Sequence, residues 1–229
     1  MAGLDLDRIA DELWQARRDG ARIARPESLD LDAAYALQDA LIRRARDRRA
    51  GWKVGATNPQ AQAGLGIDGP VSGPLWQDCL WRAGGEVAVA HIPGEGAAPA
   101  EVELAFEIGP DGGLAAAMVA VELLGQRWQT MPERRCVGVV SDHGANAGIV
   151  LGEAVTDVSG LDLTRLAATL SREGEVVARG ISGLVMGDPR RSVDWLRPHA
   201  AGRGLPLEPG IRYRAEIEGV GALELMLER

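Results

Sequence analysis

Leu6, Ile9, Ala10, Leu13 and Trp14 recur at the spacing of one helix face, and Gly20 follows Arg17, Arg18 and Asp19. This predicts an amphipathic helix with a basic last turn and a glycine stop. Pro26 opens a short connection. A second helix is expected from near Asp30, with Ala34, Leu37, Leu41 and Ala45 on one face. Its arginine-rich end, 43–49, reads as a solvated face at the negative end of a helix dipole. From Gly51 the chain changes to short apolar runs broken by glycine and proline. Strands are predicted at 52–56, 86–92, 101–108, 117–124, 136–141, 149–155, 163–170, 175–181, 211–218 and 223–228. Residues 172–175 and 219–221 have hairpin-turn chemistry, 192–196 a short helix limited by Pro198, and 94–100 the composition of a loop. Two helices followed by a mostly β body predict an α+β fold. The expectation is a single domain with an N-terminal helical region at 1–50 and a mixed, mostly β body at 51–229.

The run 101–108 alternates strictly. Val102, Leu104, Phe106 and Ile108 point one way and Glu101, Glu103, Ala105 and Glu107 the other, the period of a strand with one buried face. Its acidic face either meets water or forms one wall of a cleft. In a cleft, two carboxylates two residues apart present one side of a hard-cation site. Glu122 lies in the longest nearly uninterrupted apolar run, 114–124, where a carboxylate is costly to bury without a cation or good donors. Arg127 is one available partner, as a structural ion pair, and a metal is the other. Lys53 sits among apolar residues and glycines. It either snorkels to the surface or lies desolvated beside carboxylates as a proton-transfer group. Asp78 is another acid among aromatic neighbours, with a turn residue as its alternative role. Glu101, Glu103 and Glu122 together make a three-carboxylate site, and hard oxygen ligands with open positions suit Mg²⁺ or Mn²⁺.

Charge and composition narrow the partners. A formal net charge of -8 argues against nucleic acid or an anionic membrane surface, and no apolar run approaches a membrane span. The acidic N-terminus has no apolar signal core, and the two isolated cysteines, Cys79 and Cys136, fit a reducing cytoplasm. His91, His143 and His199 are scattered, each a surface or satisfied histidine rather than a ligand. No Gly-x-Ser-x-Gly elbow and no phosphate-binding Gly-x-x-x-x-Gly-Lys loop occur.

Gly51-Trp52-Lys53-Val54-Gly55-Ala56-Thr57, Gly73-Pro74-Leu75 with Asp78, Ala100 to Phe106, and Val121 to Leu124 with Arg127 follow one another along the chain. Ser141-Asp142-His143, Gly148 to Gly152 and Gly187 to Leu196 continue the series. In this order the segments resemble the 2-keto-4-pentenoate hydratase branch of the fumarylacetoacetate hydrolase superfamily. The resemblance implies a fumarylacetoacetate-hydrolase-like body, with Glu101, Glu103 and Glu122 as ligands of Mg²⁺ or Mn²⁺. It implies a short 2-hydroxy-2,4-dienoate or 2-oxo-enoate substrate from aromatic catabolism, hydrated to a 4-hydroxy-2-oxo acid. Lys53 would move protons, Asp78 would position the water added at C4, and the chain would form a homo-oligomer.

Two positions depart from the family pattern. A strand ending in a Thr-Gly-Ser turn usually follows the Trp-Leu helix, but here Gly202-Arg203-Gly204-Leu205 runs almost directly into Pro206-Leu207-Glu208-Pro209-Gly210. His143 stands where such hydratases often carry asparagine. Alternatives are a 2-oxo-enedioate decarboxylase of the same branch, or a non-catalytic small-molecule-binding or partner subunit. An acylpyruvate hydrolase is a weaker fit, because no histidine precedes His91.

Overall fold

The computed structural model describes residues 4–45, 48–84, 87, 92–93, 98–196, 199–200, 205–207 and 212–226. The first helix, α1, spans Leu6–Asp19: Asp5 accepts the Arg8 N–H at its start, and Gly20 closes it in the left-handed region. The second, α2, spans Leu31–Arg44, with Asp30 accepting the Ala33 N–H. Both caps satisfy donors that a helix start otherwise leaves bare. Within the arginine-rich run, Arg44 turns back onto α1 and pairs with Asp7 and Asp11.

The body follows as β1 (Arg49–Gly55), α3 (Pro59–Leu65), β2 (Val71–Trp76), β3 (Leu80–Arg82), β4 (Ala98–Ile108) and β5 (Leu114–Leu124). Next come α4 (Arg135–Ser141), β6 (Asn146–Leu151), β7 (Ala167–Arg172), β8 (Glu175–Ile181) and α5 (Arg190–Leu196). The chain closes with β9 (His199–Ala200), β10 (Leu205–Leu207), β11 (Arg212–Ile217) and β12 (Gly221–Met226). The central sheet runs β10-β4-β5-β6-β3, with β9 also on β4; a second sheet runs β12-β11-β7-β8, and β1 pairs with β2 alone. All these pairs are antiparallel except β3 with β6.

Alternation along β4 and β5 gives the central sheet two working faces. Val102, Leu104 and Phe106 of β4, with Val119, Val121 and Leu123 of β5, pack against Leu170, Tyr213, Ala215 and Leu225 of the second sheet. The opposite face carries Met118 and Ala120, which pack with Leu75 of β2 and Ile149 and Leu151 of β6. A third cluster joins Leu13, Leu37 and Leu41 of the helical pair to Val71, Trp128 and Val137. The helices therefore share a core with the strands they follow.

Three sequence expectations are corrected here. Residues 136–141 form the helix α4, not a strand; Cys136, Val137 and Val140 are buried, and a short apolar run has no period that separates a strand from a buried helix. Residues 98–100, expected in a loop, belong to β4. No strand was expected at 71–76, where Gly73 and Pro74 interrupt the apolar run, yet β2 forms there and its whole length is buried. The expected strand 86–92 and loop 94–100 fall largely outside the described residues. So do 201–204 and 208–211, the stretch where the sequence departs from the family's Thr-Gly-Ser pattern.

Gly73 is what lets β2 sit where it does. A Cβ there would stand 2.4 Å from the His143 carbonyl oxygen and 2.9 Å from Gly144 Cα, both backbone atoms that cannot swing aside. Gly73→Ala is expected to lose about 1–3 kcal/mol of stability in chemical denaturation, the usual cost of overpacking. Gly64→Ala, within α3 and with nothing within 4 Å of its new Cβ, is expected to be neutral or slightly stabilising.

Candidate metal centre

Strand register brings the acids together. In the β4–β5 pair Glu101 lies directly opposite Glu122, and Glu103 follows two residues along the same face. One carboxylate oxygen from each lies within 4.8 Å of the others. Glu103 and Glu122 are buried and Glu101 is half-buried, whereas Glu107 is exposed. This is the face covered by β1 and β2, so the acidic side of β4 looks into the molecule. Like charges directly opposed across strands destabilise a sheet unless something offsets them.

Lys53 on β1 supplies the nearest cation. Its Nζ is 3.2 Å from Glu122 Oε2 and donates to the Gly144 carbonyl at 3.1 Å. Burial pulls the Lys53 proton affinity down, but the charges of Glu122, Glu101 and Glu103 outweigh it and the net shift is upward. Glu101 gives way instead. Burial, and then repulsion from Glu122, pushes its carboxyl up to about 6 against the combined pull of Lys53 and Glu103. Three carboxylates against one ammonium leave two negative charges, the number a divalent cation carries. All donors are hard oxygens, as Mg²⁺ or Mn²⁺ requires. The residues fit the ion.

Two side chains near the triad hold positions the sequence left open. Arg127 does not pair with Glu122. Its guanidinium donates to Asp142 Oδ1 at 2.8 Å, to the Gly125 carbonyl at 2.9 Å and to the Asn146 carbonyl at 2.7 Å, all buried. The side-chain donor to Glu122 Oε1, at 2.8 Å, is Asn146. Asn146 carried no recognisable signal, since a lone asparagine between alanines reads as a turn residue. Asp78 lies apart from the cluster: its side chain is exposed and faces Arg48 at 3.6 Å.

His143, Gly144 and Ala145 all have positive φ, at 54°, 72° and 58°. This tight turn aims the Gly144 carbonyl at Lys53. His143 is fully buried and accepts from Trp76 Nε1 through Nδ1 at 2.9 Å, which fixes the neutral tautomer with its proton on Nε2. Burial first, then the charges of Arg17 and Arg127, holds its pKa well below 6.5. Asparagine suits the same position for physical reasons. It tolerates positive φ, and its Oδ1 can take the place of Nδ1 as acceptor.

No family model matches the chain. Among curated relatives, 2-keto-4-pentenoate hydratase 1 of Dechloromonas aromatica (strain RCB) is 30% identical, over 90% of this chain and 84% of its own length. The 2-oxo-hept-4-ene-1,7-dioate hydratase of Escherichia coli is also 30% identical, over 88% of this chain and 84% of its own. Among solved structures, 4-oxalocrotonate decarboxylase from Pseudomonas putida G7, complexed with magnesium and adipate, superposes with a TM-score of 0.83 at 19% identity. That alignment covers 97% of each chain, so the α+β, fumarylacetoacetate-hydrolase-like fold extends over nearly all of this protein.

A pH dependence of stability follows from His143. Its folded pKa is depressed, so the unfolded chain takes up the proton first, and its stabilising contribution is lost as pH falls below 6.5. Glu101 acts oppositely: with its carboxyl raised from 4.5 to about 6, it costs stability as pH rises through that window. Comparing wild type with His143→Asn cancels the Glu101 contribution. In urea denaturation between pH 7.5 and 5.5, wild type is expected to lose about 1.4 kcal/mol per pH unit below 6.5 relative to the variant. Parallel profiles would contradict a neutral buried His143.

Proposed function

The chain belongs to the 2-keto-4-pentenoate hydratase family, and we propose that it is a divalent-metal-dependent hydratase acting on a short 2-hydroxy-2,4-dienoate. The observation that carries this reading is the buried triad of Glu101, Glu103 and Glu122 with Lys53 against it. In this reading the three glutamates hold Mg²⁺ or Mn²⁺. When bound, such an ion would supply Lewis acidity to the C1 carboxylate and C2 oxygen of the substrate.

Lys53 Nζ is the proton carrier. Its bonds to Glu122 and to the Gly144 carbonyl hold it over the acidic face, with the side chain largely sheltered from solvent. The dienol loses a proton at its C2 hydroxyl and gains one at C5, leaving a 2-oxo-3-enoate. Water then adds across C3 and C4, hydroxyl to C4 and proton to C3, giving the 4-hydroxy-2-oxo acid. Asp78 enters as the water-positioning group by family resemblance alone, since its side chain faces Arg48 and solvent. The same reading makes the protein a cytoplasmic homo-oligomer. Family resemblance supports the self-association, and the two free cysteines fit a reducing compartment. Among the described residues, no helix is long and apolar enough to cross a membrane.

Purified protein with Mg²⁺ or Mn²⁺ is expected to remove the absorbance of 2-hydroxypenta-2,4-dienoate. Chelation should stop the reaction and Mn²⁺ should restore it. Lys53→Met should retain the metal and lose about 10²–10⁴-fold in kcat, the usual contribution of a positioned acid-base group. Glu122→Ala should lose metal binding. Release of CO₂ from a 2-oxo-enedioate, without hydration of the dienoate, would select the decarboxylase instead. Turnover indifferent to chelator would overturn the metal-dependent reading.

A further inference from the structure

Asn146 is the first residue of β6 and is fully buried. Its amide nitrogen donates to Glu122 Oε1 at 2.8 Å and to the Gly148 carbonyl at 3.3 Å. A carbonyl and a carboxylate oxygen both call for the donor end of an amide, so Glu122 and Gly148 together set its orientation. Lys53 engages the other oxygen, Oε2, at 3.2 Å. The carboxylate is thus gripped on both oxygens, and its plane is fixed from two sides.

The main chain of Asn146 is held as firmly as its side chain. Its carbonyl accepts from Arg17 Nη1 at 2.8 Å and from Arg127 Nη2 at 2.7 Å, and Arg17 Nη2 also reaches the Ala147 carbonyl at 3.2 Å. Arg127 is anchored in turn by Asp142 at 2.8 Å. Arg17 comes from α1, outside the sheets, yet is fully buried. Two guanidiniums converging on one carbonyl is a costly arrangement, since the cations repel and both are desolvated. Burial and the neighbouring charge of Arg127 lower the Arg17 pKa to about 10. An ordinary strand start needs neither cation.

We propose that Asn146 is the positioning residue of the metal centre. Its amide presents Glu122 to the ion, and its backbone transmits the docking of α1, through Arg17, to that ligand. The proposal rests on the reading of Glu122 as a ligand and adds to it a residue outside the three proposed ligands. It also gives the N-terminal helix a part in metal affinity. Groups that orient a metal ligand from behind typically contribute about 10–100-fold to affinity.

The test is a Mn²⁺ titration of the full-length protein, followed by loss of the free-ion electron paramagnetic resonance signal. Asn146→Ala and the shape-conserving Asn146→Leu are both expected to weaken Mn²⁺ by about 10–100-fold while unfolding cooperatively. A residue needed only for the fold would lower thermal stability and leave the affinity of the folded protein unchanged. Unchanged affinity in both variants, with binding abolished in Glu122→Gln, overturns the proposal and leaves the ligand reading standing. Undiminished binding in Glu122→Gln overturns the ligand reading and the proposal with it. Failure of both Asn146 variants to fold in excess Mn²⁺ assigns the residue to the fold, and also overturns the proposal.

Discussion

Three carboxylates are pressed against one ammonium on the face of the central sheet that the antiparallel β1–β2 pair covers. Cross-strand register puts Glu101 and Glu122 side by side, where like charges repel. Lys53 and Asn146 offset part of this by bonding Glu122. Burial, and then the repulsion that remains from Glu122, pushes the Glu101 carboxyl up to about 6. As a purely protein cluster the arrangement is strained by charge. A divalent cation there would remove the excess, and the residues around the cluster answer to that electrostatic demand.

Getting Lys53 there imposes conditions well away from the acids. Its Nζ needs the Gly144 carbonyl, which needs a turn with three successive positive φ values at 143–145. That turn needs β2 close behind it, and the approach leaves no room for a side chain at Gly73. His143 fits the turn as a neutral imidazole held by Trp76, kept from protonating by its burial and then by the charges of Arg17 and Arg127. Those arginines, Arg17 and Arg127, bond the Asn146 carbonyl and so join the helical pair to the strand behind Glu122. Residues from α1, β1, β2, β4, β5 and β6 therefore serve one cluster of four side chains.

The alternation in 101–108 was legible because a strand exposes its two faces at alternate residues, whatever surrounds it. Both faces proved useful. Val102, Leu104 and Phe106 fill the space between the sheets, Glu101 and Glu103 turn toward the β1–β2 pair, and Glu107 remains exposed. Glu122 was legible for a different reason, a charge in an apolar run where burial demands compensation. The same kind of reasoning assigned it the wrong possible neighbour. Arg127 is close in sequence, but the sheet directs it to Asp142. The strand expected at 136–141 failed because a six-residue apolar segment buried on most sides carries no period.

By itself the sequence determined the class of fold, the apolar face of β4 and the three acids with Lys53, since each follows from local spacing or from the cost of burying charge. Tertiary structure alone decided that Glu101 faces Glu122, that Lys53 reaches across from another sheet, and that Asn146 rather than Arg127 donates a side-chain hydrogen bond to Glu122. Register and the docking of the β1–β2 pair are set by packing among residues far apart in the chain. No local pattern encodes which donor arrives beside a buried carboxylate. The charges were written in the chain, and their partners were chosen by the fold.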